Sequence, residues 1–206
     1  MPVPQPKKDC CAVILAGGLN SRMGGRNKTF LDIGGKTILS RLIETARPLF
    51  KEMVVVTRQP ECYADYPLKV VQDIYRARSS LTGIHAGLKY ATAPYALMLP
   101  CDAPFIQPAL IQALLDKIEP EADVVVPVYN SLYQPLCAIY SKRCLPFIED
   151  QLDRGDFKIT VFFKYVRVKE VPQEIVLRAD PQLRSFFNVN TPEALKEARK
   201  LISVSP

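Results

Sequence analysis

Short apolar runs recur along this chain at intervals that suit alternating strands and helices. Cys11-Ala-Val-Ile-Leu-Ala16 stands directly before two glycines and predicts a buried strand. Met53 to Thr57, Leu68 to Val71, Tyr95 to Leu99 and Asp123 to Pro127 predict four more. Runs that are apolar on both faces belong in a parallel sheet covered by helices. Helical spacing fills the gaps. Ile38, Leu39, Leu42, Ile43 and Ala46 share one helix face that ends near Arg47-Pro48. Leu81, Ile84, Leu88 and Ala91 share another, with Ser79 or Ser80 as N-cap. Pro108 suits the first position of a third helix, and Thr191-Pro192-Glu193 opens the last with a cap, a proline and an acid. Phe157, Ile159, Val161, Phe163 and Tyr165 alternate with period two and read as a strand, although Thr160 to Tyr165 also suits a short helix.

This order of elements predicts an α/β fold with a mostly parallel central sheet. Residues 1–9 are Pro-rich and polar and read as a loose arm, and residues 10–206 read as a single domain. At 206 residues and 48% apolar composition the chain can bury a substantial core. No run of about 18 apolar residues is present, so a membrane span is not expected. The short apolar stretch behind Lys7-Lys8 ends in Gly17-Gly18 and does not read as a signal peptide, so a cytoplasmic location is expected.

Charge changes the picture more by its placement than by its size. The net charge is +6, and residues 1–58 alone hold ten basic and four acidic side chains. The excess thus sits in the Gly-rich quarter of the chain, which suits an anionic ligand such as a polyphosphate. Six cysteines form no C-x-x-C pair and read as small buried groups rather than zinc ligands. His85 is the only histidine and reads as structural; a binuclear His cluster is excluded, and a Ser-His-Asp hydrolase is disfavoured because no G-x-S-x-G context exists.

In an open parallel sheet, ligands bind beyond the carboxyl ends of the strands. Behind the first strand lies a connection of some twenty residues, Gly17 to Lys36, long enough to imply function. Gly17, Gly18, Gly24 and Gly25 allow bare amides to approach an anion, and Arg22, Arg26 and Lys28 add charge. It is not a Walker loop, because Asn27 precedes Lys28-Thr29, and no G-x-G-x-x-G is present. Asp73 follows the third strand and Asp102 the fourth.

The segment Leu15-Ala-Gly-Gly-x-x-Ser21-Arg-Met-Gly-Gly-x-x-Lys28 resembles the signature of the molybdenum cofactor guanylyltransferase family (molybdopterin-guanine dinucleotide biosynthesis protein A). The likeness continues through Asp73, Pro100-Cys101-Asp102-Ala-Pro104, Gln134-Pro135-Leu136 and Phe187-Asn188-Val-Asn190-Thr-Pro-Glu193, nearly the whole chain beyond the arm. It implies a three-layer Rossmann-like nucleotidyltransferase fold. It also implies a reaction in which GTP and molybdenum-bound molybdopterin give the guanine dinucleotide form and pyrophosphate. By this resemblance Leu15, Ala16, Gly17 and Gly18 lie along the base and ribose, and the Gly-Gly spelling goes with guanine. Arg22 and Lys28 contact the triphosphate, Asp73 contacts the nucleoside, and Asp102 holds Mg2+. Gln134, Asn188 and Asn190 line the pterin side. Transient contact with other cofactor-biosynthesis proteins or recipient enzymes is implied too. The resemblance also favours helix over strand for Thr160 to Tyr165. The sequence departs from the family at Ser79-Ser80-Leu81-Thr82-Gly83, where many members have Gly-Pro-Leu-x-Gly, and at Thr57-Arg58, where an Asn often stands.

The residues read on their own agree with this chemistry. A phosphate oxygen is already an anionic nucleophile, so nucleotidyl transfer needs charge cancellation and in-line placement rather than a general base. Mg2+ often takes one or two carboxylates plus substrate phosphates, a demand that Asp102 can meet. On an extended segment Asn188 and Asn190 face one side, although Asn190 also suits the cap of the last helix. The rival readings are a related enzyme on the same scaffold using CTP or UTP, and a non-catalytic nucleotide-binding protein. Nucleic-acid binding is disfavoured, because the basic excess is confined to one quarter and no recognised binding motif appears.

Overall fold

The computed structural model describes residues 9–18 and 27–203. The arm expected at 1–9 therefore lies almost wholly outside the described residues, as do Arg22, Gly24, Gly25 and Arg26.

Eight strands form one sheet: β1 (Cys10–Leu15), β2 (Met53–Val56), β3 (Lys69–Val71), β4 (Tyr95–Pro100), β5 (Val124–Tyr129), β6 (Leu132–Tyr133), β7 (Ile139–Ser141) and β8 (Val168–Val171). Their order is β3-β2-β1-β4-β7-β5-β6, with β8 also paired to β5. The first four strands are mutually parallel, as expected from their two-sided apolarity. The far half is mixed: β7 runs antiparallel between β4 and β5, while β8 runs parallel to β5. β6, β7 and β8 were not legible in the apolar pattern. β6 and β7 are two and three residues long, and β8 (Val-Lys-Glu-Val) carries charge at its centre.

Six helices cover the sheet: α1 (Ile38–Ala46), α2 (Ser80–Tyr90), α3 (Pro108–Leu115), α4 (Leu145–Asp153), α5 (Gln173–Ala179) and α6 (Pro192–Ser203). β1 shows how three layers arise. Cys10, Ala12 and Ile14 join the core under α1, α3, α5 and α6, while Cys11 and Val13 join the core under α2 and α4. Period-two side chains on a strand buried from both sides require a helical layer on each face. α2 lies close on β1: a Cβ at Gly87 would come within 2.5 Å of Val13 Cγ1.

The helix starts follow their caps. Thr37 accepts from the Ser40 amide at α1, and Ser79 accepts from the Thr82 amide in a capping box at α2. Pro108 opens α3. Thr191 Oγ1, rather than Asn190, accepts the Ala194 amide at α6. Residues Ile159–Tyr165 form a 3₁₀ helix, not a strand, and bury Phe162 and Phe163 against Tyr140. Period-two alternation is ambiguous here because a tight helix with three residues per turn can also bury neighbouring aromatics. The cysteines are free, and four are buried, but Cys62 is exposed and Cys101 is half-buried, so the reading of all six as buried groups is corrected.

Candidate functional site

β1 and β4 lie in direct register, with Leu15 opposite Pro100. Their chain exits are therefore neighbours, and the Cys101 amide donates to the Leu15 carbonyl at 3.3 Å. β2 lies on one side of β1 and β4 on the other, so the strand order reverses at this point. Open α/β sheets bind ligands at such reversals. A cleft of about 260 Å³ opens there, walled by Leu15, Gly17, Gly18, Lys28, Asp73 and Asp102. Six residues singled out in the sequence thus meet at one place. Ala16 does not line it; it packs partly buried against the core beneath. At Gly18 nothing among the described residues stands within 4 Å of where a Cβ would be.

Lys28 begins a 3₁₀ turn, Lys28–Phe30, whose start is fixed by Asn27: its side-chain oxygen accepts the Thr29 amide. Lys28 Nζ donates to Asn190 Oδ1 at 2.6 Å. Asp102 is half-buried at the end of β4. Burial pushes its carboxyl pKa up, and the nearby positive charge of Lys28 pulls it partly back. The main-chain carbonyl of Asp102 accepts the Val189 amide at 2.8 Å, which ties the segment before α6 to the cleft.

Asp73 forms the opposite wall, with its side chain only 5% exposed. Oδ2 accepts from Thr82 Oγ1 at 3.3 Å and lies 3.6 Å from Arg58 Nη2, while Oδ1 is buried with no partner among the described residues. Burial raises the Asp73 pKa, against the pull of Thr82 and Arg58. Asp73 lines the cleft, and a buried acceptor without a partner beside a cleft suits a ligand that donates hydrogen bonds.

A second hollow of about 190 Å³ adjoins the first and shares Pro100 and Leu136 with it. Gln134 and Asn188 line this hollow, together with Phe186. Gln134 is brought there by a two-residue hairpin in which Asn130 and Ser131 both adopt positive φ, 48° and 60°. Asn190 does not join Asn188. The Asn190 amide bonds back to the Asn188 carbonyl at 3.1 Å, so the segment turns rather than extends, and the two amides separate. This corrects the expectation that both face one side.

Sequence reasoning passed over Arg78, Ser80 and Cys101 as cleft residues, although all three line it. Ser79, the N-cap of α2, lines it too. The available signal was position: Arg78 stands immediately before the N-cap, and Ser79 and Ser80 open the segment where many family members have Gly-Pro-Leu-x-Gly. His85 is structural as expected: Nε2 lies 2.9 Å from Glu149 Oε1, and its ring packs edge-on against Tyr75. Among the described residues no group of three or more His, Cys, Asp or Glu side chains could hold a metal. Near Lys28 the cleft offers one hard carboxylate, Asp102, an arrangement for a divalent ion whose other ligands come from phosphate and water. Glycine amides, a lysine and one acid at a strand-order reversal can bind and polarise a polyphosphate.

The family described as MobA-like NTP transferase domain matches residues 12–170. A molybdenum cofactor guanylyltransferase from Desulfosudis oleivorans is 39% identical over 92% of this chain and 94% of its own length. A probable molybdenum cofactor guanylyltransferase from Natranaerobius thermophilus is 39% identical over 93% and 95%. The crystal structure of molybdopterin-guanine dinucleotide biosynthesis protein A from Archaeoglobus fulgidus superposes with a TM-score of 0.83 at 27% identity, covering 95% of this chain and all of that one. A chain that shares the fold, the domain and this much sequence with these proteins belongs to the MobA-like NTP transferase family, among its molybdenum cofactor guanylyltransferases, and is a nucleotidyltransferase.

Proposed function

We propose that this enzyme transfers GMP from GTP to molybdenum-bound molybdopterin, forming molybdopterin guanine dinucleotide and pyrophosphate. The observation that carries the reading is the convergence of Gly17, Gly18, Lys28, Asp73 and Asp102 on one cleft, in a chain 39% identical to a named guanylyltransferase. The pterin phosphate oxygen attacks the α-phosphorus of GTP, the bond from that phosphorus to the bridging oxygen breaks, and pyrophosphate leaves with the electron pair. No side chain needs to take a proton from the nucleophile, which accords with a site that has no histidine at the cleft.

The chain's own contribution is placement and charge. Lys28, with Arg22 from outside the described residues, neutralises the triphosphate. Gly17 and Gly18 let the backbone lie close along the base and ribose without side-chain obstruction. Leu15 and Asp73 hold the nucleoside, and Ala16 supports this wall from the core. Gln134 and Asn188 line the pterin side, and Asn190 acts there only through Lys28. Asp102 would hold Mg2+, which when bound cancels charge on the phosphate oxygens. This reading includes a single domain over 10–206, action in the cytoplasm, and transient contact with other cofactor-biosynthesis proteins or recipient enzymes. Among the described residues no helix is long and apolar enough to cross a membrane.

Thermal denaturation with GTP, CTP and UTP in the presence of Mg2+ tests the nucleotide, since a ligand that binds only the native state raises Tm. GTP is expected to give the largest shift. A shift with CTP or UTP alone rejects the guanine assignment. Release of pyrophosphate from GTP only when molybdopterin is present tests the reaction.

A further inference from the structure

The connection between β3 and α2 is a strap, residues 73–79, fastened from two sides. From below, Arg58 Nη2 lies 3.1 Å, 3.3 Å and 2.8 Å from the carbonyl oxygens of Tyr75, Arg76 and Ala77. From the α2 side, Thr82 Oγ1 donates toward the Ser79 carbonyl at 2.8 Å and reaches Asp73 Oδ2. A single guanidinium group on three successive carbonyls leaves the strap little freedom. Its penultimate residue, Arg78, is exposed and projects from this fixed base into the cleft wall. Among the described residues no hydrogen bond or ion pair engages the Arg78 guanidinium.

The chemistry of the two cleft walls says what Arg78 meets. Lys28 and Asp102 stand together at one end and suit phosphates. At the other end stands Asp73, a buried carboxylate that phosphate oxygens would avoid, so this end suits the base and sugar. Arg78 shares the Asp73 end through the strap. A planar guanidinium beside a nucleobase recognises paired acceptors, and the O6 and N7 atoms of guanine are such a pair, matched bidentately by Arg. We infer that Arg78 is a specificity-determining residue that donates to the O6/N7 edge of guanine, held in place by the Arg58-fastened strap. The inference rests on the GTP reading of the cleft and deepens it.

The test measures equilibrium binding of GTP, 7-deaza-GTP and CTP, each with Mg2+, to the wild-type protein and to Arg78→Met. Arg78 is exposed, so the variant is expected to keep its fold, which its Tm checks. The wild type is expected to bind GTP about tenfold more tightly than 7-deaza-GTP, which lacks the N7 acceptor. Arg78→Met is expected to lose both contacts to GTP but only the O6 contact to 7-deaza-GTP, so that its loss for GTP is about tenfold greater and the ratio falls to near one. Equal binding of GTP and 7-deaza-GTP by the wild type overturns the inference and leaves the GTP assignment standing. Equal losses for both nucleotides in Arg78→Met also overturn it, because Arg78 would then act on the phosphates or on the strap. A wild-type preference for CTP over GTP overturns the functional reading itself, and this inference with it.

Discussion

Lys28 and Asn190 lie 162 positions apart in the chain, and Lys28 Nζ donates to Asn190 Oδ1 at 2.6 Å. The contact holds the ammonium group at the cleft between the end of the glycine-rich connection and the start of α6. It gives the second asparagine of the Asn188-Val-Asn190 segment a role different from the first. Val189 between them is fully buried, and its amide is bonded to the Asp102 carbonyl, so one short segment braces both Lys28 and Asp102.

Removing either partner should therefore have unequal effects. Lys28→Ala is expected to lower kcat/KM for GTP about tenfold or more, through loss of a charge-assisted phosphate contact. Asn190→Ala keeps the charge and loses only its placement, so a drop of a few-fold is expected. The double variant should be no worse than Lys28→Ala alone, because the two act through one group. Steady-state kinetics on the three variants measure this; additive losses would mean that Asn190 contacts substrate independently.

Asp102 should show opposite effects on activity and stability. Burial raises its pKa in the folded protein, so at neutral pH its ionised form costs stability, a cost that starts to shrink as pH falls to the folded value and is gone below the ordinary carboxylate value of the unfolded chain. Asp102→Asn is expected to abolish product formation while raising the Tm of the nucleotide-free protein at neutral pH, with the gain shrinking toward acid pH. Tm measured across pH with product assays alongside checks both halves. The same raised pKa predicts that Mg2+-dependent GTP binding weakens on acidification earlier than an ordinary exposed carboxylate would allow.

Arg58 acts on the strap rather than on substrate. Arg58→Met is expected to raise KM for GTP about tenfold with kcat changed by no more than about twofold, since the strap borders the nucleoside end and not the reacting phosphorus. Arg58→Lys should restore little, because the shorter Lys side chain does not carry its nitrogen out to the place where Arg58 Nη2 meets the three carbonyls. A fall in kcat with KM unchanged would contradict this assignment.

Gly87 tests the packing that supports the cleft. A Cβ there would lie 2.5 Å from Val13 Cγ1, so Gly87→Ala must push α2 off β1. A loss of about 1–3 kcal/mol in denaturant unfolding is expected, as for other overpacked cores.

Much of the architecture is readable in the chain alone. The two-sided apolar runs of β1, β2, β4 and β5 announce a buried sheet, and Ser79, Pro108 and Thr191 mark helix starts, because burial patterns and caps are local properties. The same holds for the candidate phosphate residues: glycines behind a strand, Lys28, and one acid behind each of two later strands. The antiparallel insertion of β7, the two- and three-residue strands, and the parting of Asn188 from Asn190 were decided only by tertiary structure. A strand of three residues carries too few positions for a period to be read, and its direction depends on partners distant in sequence. The cleft roles of Arg58 and Arg78 share this origin. A guanidinium on three main-chain carbonyls leaves no trace in residue type, and a surface arginine becomes part of a site only when folding sets it on the same cleft as Lys28 and Asp102.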